Sequence, residues 1–132
     1  MRFPYLYRGR RPFPIVPITL SYQGRSLRTE GLLDSGANVS LFPAEIAEYL
    51  RVPLEKGRSI SLSGIGGRIL GYRHEIDLAV NATHFKAAVV FSAEFVSSFN
   101  ILGRDSFFEQ FQITFNERLK FVEMETNIRR VI

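Results

Sequence analysis

The sequence predicts a mostly β domain, a barrel or sandwich with one or two short helices. Three observations carry this. Short runs of β-branched and apolar residues recur along the chain, separated by Gly, Asn and Pro turn signals. Only two segments fit a helix, and both are short. A chain of 132 residues that is 45% hydrophobic and 13% aromatic can bury one core and no more.

The elements follow in order. Residues 1–14 hold Pro4, Pro12 and Pro14 among arginines and aromatics, so they read as an extended arm and not a helix. Ile15 to Tyr22 and Arg25 to Asp34 are strands on either side of the turn signal Gln23-Gly24, the second ending in Leu32-Leu33. Ser35-Gly36-Ala37 interrupts, and Val39 to Phe42 is a short strand. Pro43 to Leu50 is a helix with proline in its first turn and Glu45 and Glu48 near its positive end, stopped by Val52-Pro53. Ser59 to Leu62 and Arg68 to Val80 are strand arms joined by Ser63-Gly64-Ile65-Gly66-Gly67, where three glycines suit a hairpin tip. His84 to Phe91 is a strand, and Arg104 to Phe111 a second short helix. Ile113 to Phe115 and Leu119 to Val122 close the chain as a hairpin.

Charge and composition narrow the function. Seventeen Lys and Arg against thirteen Asp and Glu give +4, but residues 1–29 carry six arginines and no acid. The excess therefore belongs to the arm and the remainder is mildly acidic. With no cysteine, disulfide scaffolds, thiol catalysis and cysteine-ligated zinc are excluded. No apolar run is long enough for a membrane helix, and residues 1–11 lack the apolar stretch of a signal peptide, so a soluble, cytoplasmic protein is expected. His74 and His84, ten residues apart, read as structural and not as metal ligands, and no cofactor is expected.

Of the three aspartates, Asp34, Asp77 and Asp105, the first is unusual. It follows the apolar strand end Leu32-Leu33 and precedes Ser35-Gly36, so a buried strand delivers a carboxylate to the edge of the core. Gly36 leaves room for backbone N–H groups to approach it, and Ser35 adds a hydroxyl. By themselves these four residues favour a simple Asx-type turn. The pair Ile101-Leu102 running into Gly103 faintly repeats Leu32-Leu33 running into the Asp34 turn.

Leu32-Leu33-Asp34-Ser35-Gly36-Ala37, then Gly64-Ile65-Gly66-Gly67, then Ile101-Leu102-Gly103-Arg104 together resemble the retropepsins, the aspartic proteases typified by retroviral enzymes. The three motifs occur in the family's order, and the resemblance extends from about Pro14 to Val122. It implies a closed acid-protease β-barrel with one lobe per chain. The organisation expected is an arm at 1–14, the protease domain at 15–124 and a tail at 125–132 that contributes to a dimer interface.

The resemblance also implies an aspartic endopeptidase. Each subunit of the family contributes one aspartate, and this chain has one Asp-Ser-Gly, so Asp34 requires a twin from a second copy. Paired carboxylates share a proton and activate water directly, without metal or covalent intermediate. Ser35 matches the family's hydroxyl that bonds across the dimer, and Gly36 offers its carbonyl to substrate. Arg104 matches an arginine that buttresses the active-site loop. In the retroviral enzymes that arginine pairs with an aspartate, and here the place is taken by Asn38, which accepts a hydrogen bond but makes no ion pair. Ala37 is a retroviral-like choice that removes one hydrogen bond to the aspartate. Gly64, Ile65, Gly66 and Gly67 would form a flap over an extended peptide substrate, with Arg68 solvated beside it.

The expected partners are thus a second copy and a peptide. Nucleic acid is not among them, because a basic nucleic-acid-binding barrel would rest on the arm alone. The alternative is a non-catalytic retropepsin-like dimerisation or peptide-binding module, against which the intact Asp34-Ser35-Gly36 argues.

Overall fold

Twelve strands, one α-helix and two 3-10 turns follow one another along residues 1–64 and 67–127, the part of the chain that the computed structural model describes. The first three strands are short: β1 (Arg2–Pro4), β2 (Leu6–Arg8) and β3 (Arg11–Phe13). The body holds β4 (Ile15–Tyr22), β5 (Arg25–Leu33), β6 (Ser40–Pro43), α1 (Ala44–Leu50), β7 (Arg58–Gly64), β8 (Gly67–Val80), β9 (Thr83–Ser92) and β10 (Ile101–Leu102). The chain ends in β11 (Phe111–Asn116) and β12 (Phe121–Thr126).

Six of these strands close a ring in the order β4-β5-β10-β6-β9-β8, with β8 returning to pair with β4, and β7 attached to β8 outside it. Closure removes the free edges that an open sheet would expose. Strand alternation then decides what lies inside. Val16, Ile18 and Leu20 of β4 point inward with Ile76 and Leu78 of β8, around the fully buried Phe42, Phe91 and Phe107. Phe42 and Phe91 pack as a tilted pair with centroids 6.0 Å apart. Each such ring contributes about 1.5–3 kcal/mol by burial.

Helix α1 seals one side of the ring through buried Ala47 and Leu50. Arg51 ends it in a left-handed conformation, its N–H reaching back to the carbonyls of Ala47 and Glu48. His74 Nε2 lies 2.8 Å from the Leu54 carbonyl and its ring packs near Phe91. Among the described residues no three His, Asp or Glu side chains converge as a metal site, and no helix is long and apolar enough to cross a membrane.

Two regions differ from the sequence reading. The segment Arg104 to Phe111, expected as a helix, is a run of turns ending in a 3-10 segment at Phe108–Gln110. The phenylalanine spacing suggests a helix, but Ser106 takes a left-handed conformation at φ 71°, where its hydroxyl accepts from Ala88 N–H, and this breaks the helical run at its third residue. The last strand also begins later than expected. Asn116 holds the preceding turn through its side chain to Leu119 N–H and its carbonyl to Lys120 N–H, so pairing resumes only at Phe121.

The basic N-terminal segment is extended, as its prolines dictate, and it lies on its own chain. β1 pairs antiparallel with β12, Phe3 opposite Val122, to make a three-stranded sheet with β11. Phe3 and Tyr5 are buried there. β2 and β3 form a separate hairpin, and Arg8 pairs with Glu30. Of the tail expected at 125–132, Glu125 and Thr126 complete β12, and 128–132 lie outside the described residues.

Candidate active site

Asp34 stands where β5 leaves the ring. The faint repeat in the sequence becomes a spatial pair here, because β5 and β10 run parallel with Leu32 beside Ile101 and Leu33 beside Leu102. Asp34 N–H donates to the Leu102 carbonyl at 3.0 Å, continuing that pairing up to the aspartate. The two apolar pairs thus act as one support beneath the carboxylate.

The loop after Asp34 is closed by its own backbone. Gly36 N–H donates to Asp34 Oδ1 at 2.9 Å and Ala37 N–H to the Asp34 carbonyl at 3.1 Å. A Cβ at Gly36 would sit 3.2 Å from that same carboxylate oxygen, so a side chain there would crowd the bond. Asp34 is half-buried, while Ser35, Gly36 and Asn38 are exposed.

The Gly103–Asp105 segment locks the far side of the loop. Arg104 N–H donates to the Ala37 carbonyl at 2.9 Å, and Asp105 N–H to the Asn38 carbonyl at 2.7 Å. Arg104 Nη2 also donates to Asn38 Oδ1 at 2.5 Å, the neutral substitute for an ion pair that the sequence suggested. Gly103 N–H donates to the buried Ser40 hydroxyl at 3.0 Å. A Cβ at Gly103 would lie 2.3 Å from the Val39 carbonyl oxygen, so only glycine fits. The sequence reading did not single out Ser40. Its position six residues after Asp34, in an otherwise apolar short strand, was the available signal.

A cleft of about 590 Å³ opens over this loop. Asp34, Gly36, Ala37 and Asn38 line its floor, and Ile60 to Ser63 of β7 line the opposite wall. Val39, Leu41 and Ile101 make the floor apolar beside the carboxylate, and Arg73 and Asp105 add charge. Asp105, which falls within the helix expected over Arg104 to Phe111, is instead a cleft residue in a turn. Ile101 belongs to a motif read from the sequence, whereas Leu41, Ile60, Leu62 and Arg73 were not singled out there. Alternation of Ile60 and Leu62 with Ser59, Ser61 and Ser63 is the signal that could have found the first two.

Of the expected flap residues, Gly64 and Gly67 are the last paired positions of the β7–β8 hairpin, while Ile65 and Gly66 lie outside the described residues. Ser35 has no hydrogen-bond partner among the described residues, so its expected role has no counterpart within one chain.

The chain thus places a half-buried carboxylate on a hydrogen-bonded Asp-Ser-Gly loop, under a β-hairpin and beside an apolar floor. The EIAV protease, solved in complex with the inhibitor HBY-793, shares this fold with a TM-score of 0.55, at 19% identity, over 75% of this chain and 88% of that one. None of the curated proteins compared matches the chain. The family model described as retroviral aspartyl protease matches residues 10–116, from the β2–β3 turn to the end of β11. The chain therefore belongs to the retroviral aspartyl protease family.

Proposed function

We propose that two copies of this chain form a twofold dimer in which paired Asp34 carboxylates hydrolyse peptide bonds. The observation that carries this reading is the placement of a single Asp34 on a rigid loop at the floor of an open cleft. One carboxylate cannot both take a proton from water and donate one to the scissile carbonyl oxygen at once, so the chain offers half of a dyad. In the dimer one carboxylate takes a proton from water while the other, protonated, donates to the scissile carbonyl oxygen. Charge on the second carboxylate is avoided because two close carboxylates share one proton.

The supporting residues have separate tasks. Gly36 N–H orients Asp34 through Oδ1, and the Gly36 carbonyl is free to receive a substrate N–H. Ser35, exposed at the loop, bonds to the partner copy. Ala37 keeps the floor apolar beside the carboxylate. Arg104 and Asn38 hold the loop against the dimer contact. Gly64, Ile65, Gly66 and Gly67 cover an extended peptide, which pairs by its backbone with flap and floor. Both termini contribute to the interface; within one chain they are already anchored, Met1 N–H donating to the Met124 carbonyl and Asn127 N–H to the Gln110 carbonyl.

The test compares wild type and Asp34→Asn on an unbiased peptide library from roughly pH 4 to 7, the range in which a carboxylate pair can hold one proton. Cleavage should fall by about a thousandfold or more in the variant. Equal cleavage by both proteins would refute the catalytic role and leave a peptide-binding or dimerisation module.

A further inference from the structure

The cleft contains a charged feature that peptide hydrolysis does not itself require. Cross-strand register defines a row of side chains on the cleft face of the ring. Leu32 lies beside Ile101, Ile101 beside Leu41, Leu41 beside Val90, Val90 beside Arg73, and Arg73 beside Arg58. Residues directly paired across neighbouring strands point to the same face. Four apolar side chains are therefore followed by two arginines.

This face is distinct from the core. Val90 is fully buried yet does not belong to the main core cluster, because it packs outward beneath the hairpin. A Cβ at Gly71 would lie 2.4 Å from Val90 Cγ1, which shows how closely the base of β8 comes over it. Arg73, two residues on, lines the cleft with Leu41 and Ile101.

Arg58 and Arg73 face each other directly across an antiparallel pair, an arrangement in which like charges are unfavourable. Neither forms an ion pair among the described residues. β7 itself contains no acid. Glu75 shares their face two residues further along β8 but makes no salt bridge with either. The other charges of the cleft, Asp34 and Asp105, lie at its opposite end, where Asp105 N–H is tied to Asn38.

We propose that Arg73, with Arg58 beside it, forms a subsite for an acidic side chain, so that the substrates are peptides carrying Asp or Glu near an apolar scissile region. The inference rests on the peptidase reading and names its substrate class. Three strand spacings separate Ile101 from Arg73, about 14 Å. An extended peptide covers that in about four residues, which sets the distance of the acid from the apolar side chain seated over Ile101. The anion relieves the repulsion between the two guanidinium groups and accepts their hydrogen bonds.

The test uses matched peptides with Glu, Gln or Lys at each position around a fixed apolar centre. Wild type should cleave the Glu peptide about tenfold faster than the Gln peptide, by kcat/KM, at one position. The ratio should fall to near one in Arg73→Gln and invert towards Lys in Arg73→Glu. Arg68→Gln, on the opposite face of the same hairpin, should keep the wild-type ratio and serves as the control for charge alone. The same peptides are measured by fluorescence anisotropy on Asp34→Asn protein, so binding is read even where cleavage is absent. An acid-over-amide affinity ratio lost in the Asp34→Asn, Arg73→Gln double variant supports the subsite if no peptide is cleaved, and that outcome would count against the peptidase reading alone. A ratio unchanged by both Arg73 variants overturns the subsite, as does a wild-type preference for Lys, which would assign selection to Asp105.

Discussion

Asp34 sits on a loop whose backbone is tied to β10, to itself and to the Gly103–Asp105 turn, whereas β7, the opposite wall of the cleft, pairs with β8 alone. The burial differs in step. β9, in the ring beneath, buries five of its ten residues, and β7 has no buried residue among seven. A catalytic carboxylate must be held to a fraction of an ångström, while a wall that admits peptide must be able to yield. The same type of element thus serves opposite ends, according to how many neighbours hold it.

The largest expected effect is at the rigid wall. Gly103→Ala sets a methyl against the Val39 backbone, which cannot move without breaking the loop. It should cost about 3 kcal/mol, seen as a fall in Tm of roughly 10 °C in a thermal melt. A stable, active variant would show that the loop is as yielding as β7. Leu62→Ala tests the other wall. Removing that half-exposed side chain should leave Tm within about 2 °C but, on the proposed reading, raise KM by roughly tenfold, because it lines the cleft and does not pack in the core. A large drop in Tm with unchanged KM would erase the contrast.

Smaller effects grade the loop lock. Arg104→Ala removes the 2.5 Å bond to Asn38, and should cost about 1 kcal/mol. Asn38→Asp converts that bond to an ion pair and should strengthen the proposed dimer by a few-fold, measured by sedimentation at decreasing concentration. Weakening by Asn38→Asp would show that Arg104 is engaged elsewhere.

Tyr5, remote from both walls, sets the baseline. Its hydroxyl donates to Glu117 at 3.0 Å, and burial, followed by the bond and charge of Glu117, pushes its pKa up to about 12 from 10.0. A raised value means that the fold holds the proton more tightly than the unfolded chain. This contribution is therefore present below pH 10 and is lost as pH rises through about 12. Glu117 is held below its ordinary value by its bonds to Lys120 and Tyr5, so its contribution is present above pH 4.5 and fades as pH falls. Tyr5→Phe should destabilise by about 1 kcal/mol at neutral pH and flatten the alkaline decline, with cleavage unchanged. An equally steep decline in the variant would assign the alkaline sensitivity to other groups.

Much of this architecture is legible in the sequence, and the limits have a physical cause. Strand Ile15–Tyr22 falls where its β-branched run and the Gln23-Gly24 turn place it, since both signals are local. The Asp34 loop is legible for the same reason, because the turn chemistry of Ser35 and Gly36 lies next to the carboxylate. Arg73 and Leu41 were not legible as cleft residues, because their place depends on register across β6, β9 and β8, pairings between distant segments. Residues 104–111 read as a helix because Phe107, Phe108 and Phe111 repeat at helical spacing. Nothing local reveals that Ser106 turns left-handed with its hydroxyl tied to Ala88 of β9.

The central claim is that one active site needs an Asp34 from each of two chains. Mixing wild type with a tenfold excess of Asp34→Asn, under conditions where subunits exchange, tests it directly. Nearly all wild-type chains would then sit in mixed pairs, and cleavage should fall by about nine-tenths. Activity that stays in proportion to the wild-type chain present, with subunit exchange verified, would contradict the shared site.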